Sequence, residues 1–154
     1  PMSERPMTTT VPANCGSTAV GLKHLDLWLG DGNWDLIHFN FGIHDQHSKP
    51  ADYGKRLEQI TDRLKKTGAK LVFASSTPLP EGGGEYRHGA CKRLNAVAAE
   101  IMARHNIPIN DLYGAMLPVL DTYQNPGDCH FGGDGYVFMG GLVAKRILAE
   151  LGVE

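Results

Sequence analysis

Three clusters in this sequence hold residue types suited to proton transfer and charge stabilisation. Asp128 and His130 share a loop just ahead of the last helical pattern. A carboxylate so placed can orient an imidazole as a general base; a surface histidine beside a turn-capping aspartate is the plainer alternative. Cys15-Gly16-Ser17-Thr18 opens a helix. Glycine there lets a backbone N–H face an oxyanion, although a simple helix cap uses the same residue types. Gly42-Ile43-His44-Asp45-Gln46-His47 follows a strand. His44, Asp45 and His47 are metal-ligand types, but they crowd together with no distant fourth ligand. A hydrogen-bond-donating role for His44 is the better reading, and no metal or cofactor is expected.

The elements that must position these clusters are legible from periodicity. Leu22, Leu25 and Leu29 line one face of a helix that starts near Ser17 or Thr18 and stops at Gly30. Leu36 to Phe41 reads as a buried strand, with His38 and Asn40 on one face. Those two polar residues are either hydrogen-bonded core or support for the nearby site. Tyr53, Leu57, Ile60 and Leu64 mark a second helix, ended by Lys65, Lys66 and Gly68. Residues 69–75 form a second strand run and 78–84 a Pro/Gly-rich loop. Leu94, Val97, Ala98, Ile101 and Met102 mark a third helix. Residues 107–112 suit a short strand, 113–120 one or two helical turns and 122–135 a loop. Tyr136, Met139, Val143 and Ile147 stand in register on a final helix. Alternating helices and strands predict an α/β fold with a parallel sheet in one domain over residues 1–154. Ligands in such folds sit beyond the carboxyl ends of the strands, where His44 and Asp45 fall.

Composition narrows the function classes. The 154 residues suffice for one sizeable core. Fifteen basic and 17 acidic side chains give a net charge of −2 with no basic patch, which argues against nucleic acid or an anionic membrane as partner. No apolar run is long enough to span a bilayer and no signal-peptide pattern is visible. Three cysteines allow one disulfide at most.

Four blocks together, PANCGST (12–18), HFNFGIHD (38–45), TPLPEG (77–82) and DCHF (128–131), resemble in order and spacing the later blocks of the SGNH (GDSL-type) hydrolases. The resemblance spans roughly residues 12–150. It implies a flavodoxin-like three-layer α/β/α sandwich and hydrolysis of small carboxylic or acetyl esters, often on carbohydrates. It further implies His130 as base, Asp128 as its orienting acid, and Gly16 and His44 as oxyanion donors; beside these, Asn40 and Asp45 are read as support for the site. The family spacing is Asp-x-x-His, whereas here it is Asp-x-His, with Gly127 at the usual acid position. The rival expectation is a carbohydrate- or small-ligand-binding module on the same fold.

The family's Gly-Asp-Ser block, which carries the nucleophile on the first strand, does not occur in this sequence. Three accounts compete: the chain is a truncated or internally started product; Cys15 or Ser17 substitutes, each flanking the oxyanion glycine; or Ser3 reaches the site in cis or from a partner. Cys15 is otherwise a small buried residue or a disulfide partner of Cys129. Without that first strand, the Leu36–Phe41 strand has an open edge. Residues Met7 to Val11 are expected to pair along it, within the chain or across a homodimer.

Overall fold

In the computed structural model, residues 16–80, 86 and 89–153 are described. The expectations placed on Ser3, Met7–Val11 and Cys15 lie outside them, as does part of the 77–82 block. A parallel sheet has the order β1 (Leu36–Phe39), β2 (Lys70–Ala74), β3 (Ile109–Asn110). Leu36 is in register with Lys70 and Phe73 with Ile109. Helices α1 (Thr18–Leu29), α2 (Pro50–Lys65) and α3 (Ala90–Arg104) lie on one face. Two short helices, α4 (Leu112–Met116) and α5 (Leu120–Tyr123), lead to α6 (Gly133–Leu151), which runs against β1 and β3 on the other face. The α/β sandwich expected from the alternation is therefore present.

Strand alternation sets the layers. Ile37, Phe39 and Phe41 point toward α1–α3 and join Leu57, Ile60, Leu64, Phe73, Leu94 and Met102 in the main core. The period that marked α2 is the period buried: Tyr53, Leu57, Ile60 and Leu64 are all inaccessible. On the opposite face Asn110 Nδ2 lies 3.2 Å from His38 Nε2. Burial lowers the His38 pKa, which favours the neutral imidazole, whose Nε2 can accept from the amide. The third strand is shorter than its apolar run. Pro108 precedes it, and Asp111 ends it by capping α4, its Oδ1 accepting from Gly114 N–H at 3.0 Å. No helix among the described residues is long and apolar enough to cross a membrane.

Candidate active site

The loop from Tyr123 to Gly132 folds on itself. Gln124 and Phe131 form an antiparallel bridge. Gly132 N–H donates to the Tyr123 carbonyl at 2.8 Å and Asn125 N–H to that of His130 at 3.0 Å. At the tip, Asp128 N–H donates to the Asn125 carbonyl at 3.1 Å across Pro126 and Gly127, the latter at φ +69°. Proline second and a left-handed glycine third are the features of a type II turn. That turn puts Asp128 Oδ1 2.7 Å from His130 Nδ1 and 3.3 Å from His130 N–H. With Nδ1–H donating to Asp128 Oδ1, the Nε2 lone pair faces outward on a largely exposed ring. The hydrogen bond from His130, joined by those from its backbone and Tyr86, holds the Asp128 carboxyl below its ordinary range. The Asp-x-His spacing is thus geometrically sufficient for the pair.

Two further groups crowd this pair. Cys129 Sγ lies 3.6 Å from His130 Nδ1 and carries a free thiol, as does buried Cys91. The Tyr86 hydroxyl lies 3.2 Å from Asp128 Oδ1 and 3.3 Å from Cys129 Sγ. Its phenol is pushed up to about 12, chiefly by the hydrogen bond to Cys129. Tyr86 was invisible to sequence reasoning, because it sits in a Pro/Gly-rich stretch without periodicity. Asp128, Cys129 and His130 also bring three ligand-type atoms within 4.8 Å of one another.

The second cluster is built around a buried carboxylate. The chain leaves β1 through Gly42 into a single 3₁₀ turn, Ile43–Asp45, that exposes His44 and buries Asp45 to 1%. Asp45 accepts from Thr18 N–H at 2.7 Å and Thr18 Oγ1 at 2.6 Å, and Arg56 Nη2 lies 3.2 Å away. The start of α1 is therefore capped by a residue from the far side of β1. Ser17, at the N-cap position, makes no side-chain capping bond. Gly16 stands just before it at φ +62°, a conformation that favours glycine. Because Asp45 faces α1 and Arg56, His44, Asp45 and His47 do not form a ligand group.

The end of β1 is fixed from β2. Asn40 Nδ2 donates to the Ala74 carbonyl at 2.7 Å and to Ser76 Oγ at 3.1 Å. Ser76 is held in turn by Asn95, which accepts from its N–H and donates to its carbonyl. A Cβ on Gly42 would overlap Ser76 Oγ, so only glycine permits this approach. Tyr53 completes the frame by donating to the Phe41 carbonyl at 2.8 Å. The structure thus gathers Gly16, Ser17, Thr18 and Asp45 in one cluster and Asp128 with His130 in another. Among the described residues no hydrogen bond joins His130 to Ser17 or His44.

A family model for the GDSL-like lipases/acylhydrolases matches residues 6–138. A lipase/acylhydrolase from Enterococcus faecalis superposes with a TM-score of 0.75 at 26% identity, covering 87% of this chain and 71% of its own. A GDSL-like lipase from Bacteroides thetaiotaomicron gives 0.71 at 18% identity, with 87% and 72% covered. An acetyl xylan esterase gives 0.75 at 11% identity, with 86% and 76% covered. No curated protein matches the chain.

Proposed function

The chain belongs to the GDSL-like lipase/acylhydrolase family, and from that premise we propose that it hydrolyses small carboxylic or acetyl esters. The observation that carries the reading is the 2.7 Å contact between Asp128 Oδ1 and His130 Nδ1. It fixes the tautomer that leaves Nε2 free to take a proton. In the reaction, Nε2 accepts the proton of the nucleophile as that atom attacks the ester carbonyl. Gly16 N–H and His44 then donate to the oxyanion. The imidazolium returns the proton to the leaving alkoxide, and water repeats the sequence on the acyl-enzyme. Ser17 is the nucleophile candidate among the described residues, its hydroxyl free of capping duty; Cys15 is the second. The fold shared with an acetyl xylan esterase makes acetylated carbohydrate the first substrate class to assay.

The second reading is a carbohydrate- or small-ligand-binding module on the same fold, one without turnover. Mass spectrometry after treatment with a fluorophosphonate separates the two. The esterase reading expects one covalent adduct, on Ser17 or Cys15, that His130→Ala removes together with hydrolysis of p-nitrophenyl acetate. No adduct and no hydrolysis would leave the binding module.

A further inference from the structure

The chain bends at Asp128 and Cys129, and three consecutive side chains converge where an extended segment would alternate them. A carboxylate oxygen of Asp128, the sulfur of Cys129 and a ring nitrogen of His130 all lie within 4.8 Å of one another. The Cys129 Sγ to His130 Nδ1 distance is 3.6 Å. Two ligands of one tetrahedral zinc, with bonds of about 2.3 Å to sulfur and about 2.0 Å to nitrogen, stand about 3.6 Å apart. Asp128 Oδ1 and Nδ1 are drawn to 2.7 Å by their hydrogen bond. They reach ligand spacing on opening by about 0.7 Å. The Cys129 thiol is free, and the Tyr86 hydroxyl lies 3.3 Å from it and 3.2 Å from Asp128 Oδ1. Thiolate, imidazole and carboxylate together suit zinc, whereas calcium and magnesium take oxygen ligands.

We propose that Asp128, Cys129 and His130 form an inhibitory zinc site that switches off the base of the esterase. The inhibition rests on the ester-hydrolase reading; the binding of the ion does not. The ion replaces the thiol proton, which passes to solvent. It binds Nδ1 once the imidazole proton has moved, through solvent, to Nε2. The neutral ring keeps one proton, so Nε2 then donates and no longer accepts. The atom assigned to take the nucleophile's proton is thereby blocked, and Asp128 turns from orienting the ring to ligating the ion. All three ligands belong to one loop. The Gln124–Phe131 bridge and the 2.9 Å bond from Gln124 Nε2 to the Pro78 carbonyl hold its base, so no distant segment has to move. Tyr86 donates to the thiolate, an outer hydrogen bond of the kind that orients and tunes metal ligands. The His130 and Asp128 side chains are 66% and 42% exposed, which gives the ion a path from solvent and leaves its fourth position to water.

Titration of the full chain with Co²⁺, a zinc stand-in whose thiolate complexes absorb in the near ultraviolet, tests binding without turnover. The expected result is a thiolate-to-cobalt band that saturates at one ion per chain and is abolished by added Zn²⁺. Cys129→Ser and His130→Ala, checked for folding by circular dichroism, should each lose the band. Cys91→Ser and Cys15→Ser should keep it. Zn²⁺ should also slow hydrolysis of p-nitrophenyl acetate at least about tenfold, reversibly with EDTA. Cys129→Ser, measured against its own zinc-free rate, should need at least about tenfold more zinc for the same effect. No band at excess metal, or a band that survives Cys129→Ser, overturns the site. Zinc that accelerates hydrolysis overturns the inhibitory role. A saturating, Cys129-dependent band in a chain that hydrolyses nothing upholds the site and removes the esterase reading.

Discussion

Asp45 and Thr18 are 27 residues apart in the chain and meet twice, the Asp45 carboxylate accepting from the Thr18 backbone N–H at 2.7 Å and from its hydroxyl at 2.6 Å. One side chain thereby fixes the turn that presents Gly16 and the turn that presents His44. A carboxylate at a helix amino terminus is favoured by the helix dipole, and Arg56 balances its charge.

Asp45→Ala removes the acceptor of the Thr18 N–H and hydroxyl and the carboxylate that faces Arg56. Removal of one member of a buried charged pair costs about 3 kcal/mol, to be read from the urea midpoint at constant slope. Asp45→Asn keeps the shape and an acceptor, and should cost about half as much. Equal losses in the two variants would mean that charge, not shape, dominates.

Asp128→Asn addresses the opposite situation, an exposed pair. Surface ion pairs contribute little to stability, so the thermal midpoint should not move. The orienting hydrogen bond to Nδ1 is lost, and kcat for p-nitrophenyl acetate should fall by about a hundredfold or more with little change in KM. Unchanged kcat would remove Asp128 from the proposed mechanism.

Gly42→Ala tests a contact. The added methyl meets Ser76 Oγ, and Ser76 cannot yield because Asn40 and Asn95 hold it. Overpacking of this kind costs about 1–3 kcal/mol. Combining it with Ser76→Gly should recover part of the loss, and additive effects in the double-mutant cycle would disprove the contact.

His38 predicts a pH dependence. Its folded pKa lies below its ordinary value because of burial, so between the two values the unfolded chain binds more protons. Its contribution to stability is complete above an unfolded pKa of about 6.5 and is lost as pH falls through the folded value. His38→Gln should flatten the thermal midpoint against pH just below 6.5; an unaltered slope would assign it to other groups.

The fold was legible where its cause is local. The helices of Leu25, Leu57 and Leu94 follow from spacing, since one buried stripe needs one period. The position of His44 beyond a strand followed from strand polarity. What sequence could not supply were contacts between distant segments. Ser17 or Thr18 looked like the helix cap, but Asp45 takes that role across 27 residues, and no local pattern encodes such a meeting. Tyr86 reached Asp128 across 42 residues from a stretch without period. The 122–135 segment read as plain loop, although Asn125-Pro126-Gly127-Asp128 already spelled its turn.

That turn and the bridge between Gln124 and Phe131 hold the Asp128–His130 pair mainly by local contacts. Its own hydrogen bond lies within a loop of eight residues, touched from outside by Tyr86 and the Pro78 carbonyl, whereas the cluster around Asp45 is assembled from α1, the turn after β1 and α2. The two halves of the site should therefore fail separately as the protein is heated or crowded by denaturant. A reagent that reports on the imidazole of His130 would count intact loops, not intact Asp45 clusters.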